Sequence, residues 1–407
     1  MERVRVGIVG CGFVAHIHVN ALSRVAGIEV EIAGIASRTK ERVESFAKQC
    51  GINNCYTDYR YLLDSKDIDV IDICVPNILH EKVCIETAMA GKHIICEKPL
   101  TGYFGQDLAE TVENVGKTIP KRQMYAQAME SAQKIVQEAK SNKVKLCYAE
   151  NYVYAPELTK AKRLIGASKG TILDIRAEES HSGSHAAYAK KWKLAGGGSL
   201  LRLGSHPLGA AIHLKHFEGL ITEGKPIKVK SVTAEVGNLT KTPSFLKESK
   251  KWLVSDWEDV EDWSAVFLTF EDGTKATVFA NDVTLGGVVN TVTVQLSNSV
   301  VKCNLSGGGA CQAYAPAPEI FSEEYLTEKL ETKAGWSFPA PDEDWMRGYP
   351  QEMQDFMESV CFDRDPISDG ELGKEVVRVA YASYIAAEEG HKVEISELRN
   401  LEGGTSR

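Results

Sequence analysis

The chain has 407 residues, 43% of them hydrophobic and 25% charged, with a net charge of −9. That length exceeds what one core comfortably serves, so two domains are expected. The acidic balance, without any basic run, excludes a nucleic-acid scaffold, and no uninterrupted apolar stretch reaches membrane-spanning length.

Residues 4–9 (VRVGIV) suit a buried parallel strand, and Gly10, Gly12 and Ala15 follow at the dinucleotide-fingerprint positions, with Phe13 and Val14 between them. Gly10 permits the tight turn, Gly12 lets backbone approach a pyrophosphate, and Ala15 keeps the next helix close to the sheet. An ordinary strand, turn and helix without a ligand is the plainer alternative. A second strand is expected over 30–36, ending at Ser37 and Arg38, where no carboxylate stands ready for two ribose hydroxyls. A hydroxyl followed by a guanidinium makes NADP(H) the preferred cofactor; with NAD(H), Arg38 either stacks on adenine or is a solvated charge.

Residues 69–76 form the next strand, and Pro76, Asn77 and His80 at its carboxyl end are candidate ribose or nicotinamide neighbours, with helix capping as the other role of Asn77. CEKPLT at 96–101 stands about 85 residues after the glycine motif, a separation one dinucleotide-binding unit fills. Glu97 beside Lys98 can orient the ammonium, and Pro99 is a candidate cis residue. Lys98 is then placed to stabilise developing alkoxide charge, against the alternative of a surface lysine.

Residues 101–141 read as an insertion near the active-site mouth, whose Tyr103, Phe104 and Tyr125 either close over a substrate or pack on the host domain. Residues 143–151 look like the last strand of the first domain, dividing the chain into a dinucleotide-binding domain over 1–150 and a substrate and oligomerisation domain over 151–407. Tyr152 and Tyr154, then His181, His185, Tyr188 and Trp192, are candidate substrate contacts, the rings for stacking and the histidines for hydroxyl groups. A metal held by His181, His185 and Glu179 is the weaker reading of that loop, and no metal is expected. His206 opens an apolar helix over 207–214 and is the candidate acid/base, its alternative being a core histidine satisfied by backbone. Alternating runs at 264–270 and 275–280 around a turn at 271–273 predict antiparallel hairpins, the glycines at 307–309 a flexible turn, and residues 349–389 a helical tail returning to the first domain. The N-terminus enters a strand with no signal-peptide pattern, and ten cysteines lie without C-x-x-C spacing. Buried free thiols in a cytoplasmic protein are expected.

The chain resembles the Gfo/Idh/MocA family of oxidoreductases in GCGFVA at 10–15, VPNILH at 75–80, AGKHIICEKPL at 90–100, GGGSLLRLGSHPLG at 196–209 and YPQEMQDFMESV at 349–360. The resemblance implies an α/β chain: an N-terminal Rossmann domain plus a C-terminal α+β domain with a large, mostly antiparallel sheet. It implies hydride transfer between NAD(P) and a secondary hydroxyl of a sugar, glycoside or cyclitol, with Lys98 and His206 near the nicotinamide. Related proteins also include glycosidases that use bound NAD by transient sugar oxidation and nucleotide-sensing regulators, which stand as alternatives. A small-molecule substrate, no nucleic acid or membrane partner, and a homo-oligomer are expected. One departure stands out. Relatives commonly carry aspartate four residues before the histidine, one helical turn away; here Arg202 takes that place, and Gly209 takes another that is often acidic. A guanidinium beside Lys98 and His206 is expected to lower both pKa values, or to clamp an acidic substituent of the substrate.

Overall fold

The computed structural model describes residues 2–109, 111–306 and 311–402, so the glycines at 307–309 lie outside the described residues. Helices of ten residues or more are numbered below. The first unit runs β1 (Arg3–Val9), α1 (Phe13–Leu22), β2 (Glu29–Ala36), α2 (Lys40–Cys50), β3 (Cys55–Tyr56), β4 (Val70–Ile73), α3 (His80–Met89), β5 (His93–Glu97), α4 (Lys121–Ser141) and β6 (Leu146–Ala149). Its six strands are parallel in the order β3-β2-β1-β4-β5-β6. The order reverses between β1 and β4, and the crevice at the strands' carboxyl ends is where such folds take ligands. Val6, Ile8, Ile71, Ile73, Ile94 and Ile95 are fully buried, as strands covered on both faces require; each such side chain contributes about 1.5–3 kcal/mol. Gly10 has φ +113°, and a Cβ there would lie 2.1 Å from the Cys74 carbonyl oxygen. Only glycine lets β1 turn this close to β4.

The expected insertion over 101–141 is corrected. Residues 121–141 are the crossover helix α4 itself, packed between α3 and the C-terminal helix. Tyr103, Phe104 and Tyr125 are buried. The Tyr103 N–H donates to the Tyr381 hydroxyl at 2.5 Å, and the Tyr125 hydroxyl donates to Glu402 at 2.6 Å. These rings belong to the core and leave nothing to close over a substrate. The polar residues that suggested an insertion are the solvent side of an amphipathic helix.

The second unit runs α5 (Pro156–Ser168), β7 (Ile172–Ser180), α6 (Ser205–Glu223), β8 (Val229–Gly237), β9 (Trp263–Phe270), β10 (Lys275–Asn281), β11 (Val289–Leu296), β12 (Val300–Asn304), β13 (Ala313–Ala315), β14 (Gly335–Ser337), α7 (Tyr349–Cys361), α8 (Gly370–Glu389) and β15 (Val393–Glu394). Seven strands form a sheet in the order β12-β11-β7-β10-β9-β8-β15, antiparallel except for β7 against β10. The β9–β10 hairpin pairs Thr269 with Lys275, and Gly273 takes φ +87° in its turn, as the alternating pattern predicts. One face buries Ile175, Val266, Leu268 and Val278 beneath α6 and α8, while the other leaves Leu173, Phe267 and Phe279 exposed. In the tail, α7 packs on α1, and α8 packs on α4 and β6. Asp369 caps α8 by accepting from the Leu372 N–H at 2.9 Å. All ten cysteines are free, and among the described residues no helix is long and apolar enough to cross a membrane.

Candidate functional site

Two carboxyl edges face one another across the crevice, the ends of β4, β5 and β6 on one side and the ends of β7 and β10 with the start of α6 on the other. Lys98 follows β5 directly, with a cis bond to Pro99. Its Nζ donates to the Arg202 carbonyl oxygen at 2.9 Å, so a backbone group holds the ammonium whatever the side chain at 202. Beneath it Glu97 accepts from the Lys98 N–H at 3.1 Å, and Glu97 Oε1 lies 3.0 Å from His18 Nε2. His18 Nδ1 lies 3.0 Å from both Asp72 oxygens. Burial pulls the His18 pKa down, yet Asp72 and Cys74 outweigh it and hold the ring well above its ordinary value. A cationic His18 between two carboxylates therefore supports the Glu97–Lys98 turn.

His206 sits in the first turn of α6. Its Nδ1 is 2.6 Å from Glu150 Oε1, its ring stacks on Tyr152 with centroids 4.6 Å apart, and its Nε2 lies 3.8 Å from Glu179 Oε2. Glu150 comes from the end of β6 and fills the space over Gly209, where a Cβ would stand 3.0 Å from the Glu150 Cγ. The glycine at this otherwise acidic place is explained: the carboxylate arrives from β6 instead of from the helix. Burial, followed by the positive charges of Lys98 and Arg347, pushes the His206 pKa well below its usual range. Burial also pushes Glu150 well up, with Glu179 and Glu97 adding to it and Lys98 opposing. Groups this close titrate as a pair. With one proton, carried on Nδ1 toward Glu150, Nε2 is a free base; with two, Nε2 is an acid. Lys98 and Arg347 favour the one-proton, anionic pair.

Several expectations for the site are corrected. Arg202 does not act on His206: its Nη2 donates to buried Asp282, its guanidinium lies 5.3 Å from the Trp257 ring centre, and its Nε has no hydrogen-bond partner among the described residues. The helical-face argument fails because Ser199–Arg202 is a separate turn, and Leu203 and Gly204 intervene before α6 begins. The histidine that feels Arg202 is His181, which burial first, and then Arg202, Lys329 and Lys98, push well below its ordinary value. The Gly183 N–H donates to His181 Nδ1 at 2.9 Å, leaving Nε2 as the protonated nitrogen of the neutral ring. Trp192 is only 2% exposed, packed on Tyr384 with centroids 4.9 Å apart and under the Lys121 ammonium, so it presents no face to a sugar. Tyr154 is spent on structure: its hydroxyl donates to Asp355 at 2.7 Å and accepts from the Ser368 N–H at 2.9 Å. His185 is exposed and does not join His181 and Glu179. Among the described residues the group with metal-ligand spacing is instead His18, Asp72 and Cys74.

On the cofactor side, His80 is fully buried, with its ring nitrogens 2.9 Å from the Pro99 and 3.0 Å from the Val75 carbonyl oxygens. Through both ring nitrogens it braces the two turns. Asn77 follows Pro76 and donates to the Ala195 carbonyl at 2.8 Å, tying that turn to the second unit. Gly12 is open, with nothing within 4 Å of a Cβ placed there, and α1 starts with no capping side chain and no acidic residue in its first turn. Its free N–H groups suit an anion such as a pyrophosphate. Phe13 is exposed, Val14 half-buried and Ala15 buried along this turn. Ser37 Oγ accepts from the Cys11 thiol at 3.1 Å, and Arg38 is exposed beside it.

Sequence reasoning missed Asp282 and Arg347; it placed Glu150 and Glu179 only within the candidate substrate-contact stretches 148–156 and 178–192, and gave Glu179 a specific role only as a metal ligand. The signal for Glu150 was the carboxylate ending an apolar strand in YAEN, paired with glycine at 209; no local signal marks Asp282 or Arg347. Arg347 is buried between Glu328, at 2.6 Å, and Glu343, at 2.7 Å.

Residues 4–122 match the family described as "Oxidoreductase family, NAD-binding Rossmann fold", and residues 158–301 match the GFO/IDH/MocA C-terminal domain. The chain is 27% identical over 227 residues to levoglucosan dehydrogenase of Pseudarthrobacter phenanthrenivorans, covering 53% of this chain and 52% of that protein. It is 26% identical over 233 residues to trans-1,2-dihydrobenzene-1,2-diol dehydrogenase of Bos taurus, covering 56% and 59%. The chain thus spans little more than half the length of these curated relatives. The crystal structure of GenD2 from gentamicin A biosynthesis in complex with NAD shares the fold, with TM-score 0.78, 23% identity and 97% of both chains covered. With the two matched segments together spanning more than half of its length, the chain belongs to the Gfo/Idh/MocA oxidoreductase family.

Proposed function

We propose that the protein is a nicotinamide-dependent dehydrogenase that oxidises a secondary hydroxyl of a sugar, glycoside or cyclitol, or reduces the matching ketone. The observation that carries this reading is the convergence of the Lys98 ammonium and the Glu150 carboxyl, both from the first unit, with His206 from the second. All three act on the same small crevice, since Lys98 is a principal charge on His206, Glu150 and Glu179. The open Gly12 turn and the uncapped α1 N-terminus support a bound dinucleotide. When bound, its nicotinamide supplies the hydride acceptor or donor.

The chain's own residues supply the proton chemistry. His206 Nε2 takes the hydroxyl proton, Glu150 keeps the imidazole in the tautomer that leaves Nε2 free, and Lys98 stabilises the negative charge developing on oxygen. The relatives' names, a levoglucosan and a dihydrodiol dehydrogenase, support a compact polyol-like substrate. With no carboxylate at Ser37 and an exposed Arg38 beside it, NADP(H) is preferred to NAD(H). A cytoplasmic setting agrees with ten free thiols, and the exposed apolar face of the seven-stranded sheet supports a homo-oligomer. Screening sugars, glycosides and cyclitols for NAD(P)H formation by absorbance, with fluorescence titration of both cofactors, tests the proposal. Turnover of a secondary alcohol is expected; cofactor binding without redox turnover of any of them overturns it, and tighter binding of NADH than NADPH overturns the cofactor preference.

A further inference from the structure

His206 is flanked on both nitrogens. Glu150 occupies Nδ1 at 2.6 Å, and Glu179 Oε2 faces Nε2 at 3.8 Å, too far for a hydrogen bond and near enough for one hydroxyl oxygen to bridge the two. Glu179 Oε2 is buried and unpartnered, as is Glu150 Oε2. Buried acceptors are rarely left unsatisfied, so each calls for a function. The two carboxyls differ in access: the Glu150 side chain is sealed at 0% exposure, whereas Glu179 keeps 11%.

We propose that Glu179 is a second proton-holding group of the site: it receives at Oε2 the proton that His206 Nε2 takes from the substrate hydroxyl, and passes it to solvent. This rests on the dehydrogenase reading. Oxidation of the alcohol breaks one C–H and one O–H bond; the hydride with its electron pair goes to the oxidised nicotinamide, and the proton goes to Nε2 and then, through a water that takes the bridging place once the ketone leaves, to the Glu179 carboxylate. His206 returns to its starting form with Glu150 unchanged. The direction of transfer follows from the surroundings. Burial and the neighbouring cations make protonated His206 a strong acid, whereas burial raises Glu179 to about 7 against the opposing pull of Lys98 and Arg347. Glu328 raises Glu179 and Arg202 lowers it further; Glu179 in turn raises Glu150, and the Tyr152 hydroxyl, itself without a partner, lies in the field of both. A carboxyl poised near neutrality beside a weakly basic imidazole accepts its proton and releases it in water.

The test is ¹⁵N NMR of the His206 imidazole in the full chain, with and without NADH, in the natural protein, Glu179→Gln and Glu179→Asp, together with pH profiles of kcat on the polyol that turns over. In the natural protein the His206 Nε2 resonance is expected to step with a midpoint near pH 7. In Glu179→Gln that step disappears while NADH binding and circular dichroism are unchanged; kcat at pH 7 falls about tenfold to a hundredfold, its neutral limb is lost, and Glu179→Asp restores part of both. The same His206 titration in all three proteins overturns the proposal, as does a Glu179→Gln variant that raises KM and leaves the pH profile of kcat in place. Absence of NADH binding defeats the dehydrogenase reading separately, because the resonance step is read in the unliganded chain as well.

Discussion

Replacing Glu150 by glutamine separates catalysis from folding. The amide fills the same space over Gly209 but carries no charge, and its NH₂ can donate to His206 Nδ1, which moves the ring proton to Nε2 and removes the base. A correctly placed general base contributes about 10²–10⁴ in rate, so kcat is expected to fall by that factor, about 3–5 kcal/mol of barrier. Stability should move the other way. Burial raises the Glu150 pKa well above its ordinary 4.5, so the ionised carboxylate that keeps Nε2 free is held in the folded protein at a cost the unfolded chain does not bear. Such a group stabilises the fold fully below about pH 4.5, and that contribution is lost as pH rises through the folded value. At pH 8 the uncharged glutamine escapes this loss, so Tm of Glu150→Gln is expected to equal or exceed that of the natural protein, and the gap should close toward pH 4.5. Steady-state kinetics and thermal unfolding followed by circular dichroism over pH 4.5–8 measure both. A variant with kcat within threefold of the parent, or with a lower Tm at pH 8, refutes the assignment of Glu150 as the partner that sets the His206 tautomer.

Three further perturbations probe the same architecture. Gly209→Ala gains helix propensity of about 1 kcal/mol, but its Cβ presses on Glu150 at 3.0 Å; thermal unfolding should change little while kcat drops at least about tenfold, as misplaced catalytic groups do. Arg202→Asp sets a second buried carboxylate against Asp282 and is expected to cost about 3–5 kcal/mol, measured by urea unfolding, with the exchanged pair Arg202→Asp and Asp282→Arg recovering part of it. Trp192→Ala should lose about 3–5 kcal/mol of stability yet keep its KM where it remains folded, because the ring packs on Tyr384 inside the core; a tenfold rise in KM would restore the sugar-stacking role.

Motifs whose meaning is local could be read from residues alone. Gly10 answers to one backbone turn and the Cys74 carbonyl beside it, Lys98 to the end of one strand, and the β9–β10 hairpin to a strict alternation around Gly273. The reading failed where a side chain's direction depends on packing. Arg202 and His206 are four residues apart, which implies a shared helical face, but the break at Leu203 and Gly204 sends Arg202 toward Asp282. Likewise Trp192 and Tyr154 carry the right chemistry for a sugar and are consumed by the core and by Asp355. Aromatic residues in a loop look the same whether they face a ligand or a neighbouring helix.

By itself, then, the order of residues determined a dinucleotide fingerprint in a strand–turn–helix setting, alternating runs for antiparallel hairpins and a lysine as candidate chemistry; the mostly antiparallel second domain and the catalytic reading of the histidine rested on the family resemblance. Only the tertiary structure decided which carboxylates serve that histidine. Glu150, Glu179 and His206 come from β6, β7 and α6, and their meeting at 2.6 and 3.8 Å is set by how the two units close on each other. Periodicity fixes which residues share a face of one element; the distance between faces of different elements is fixed by packing, and proton transfer depends on that distance.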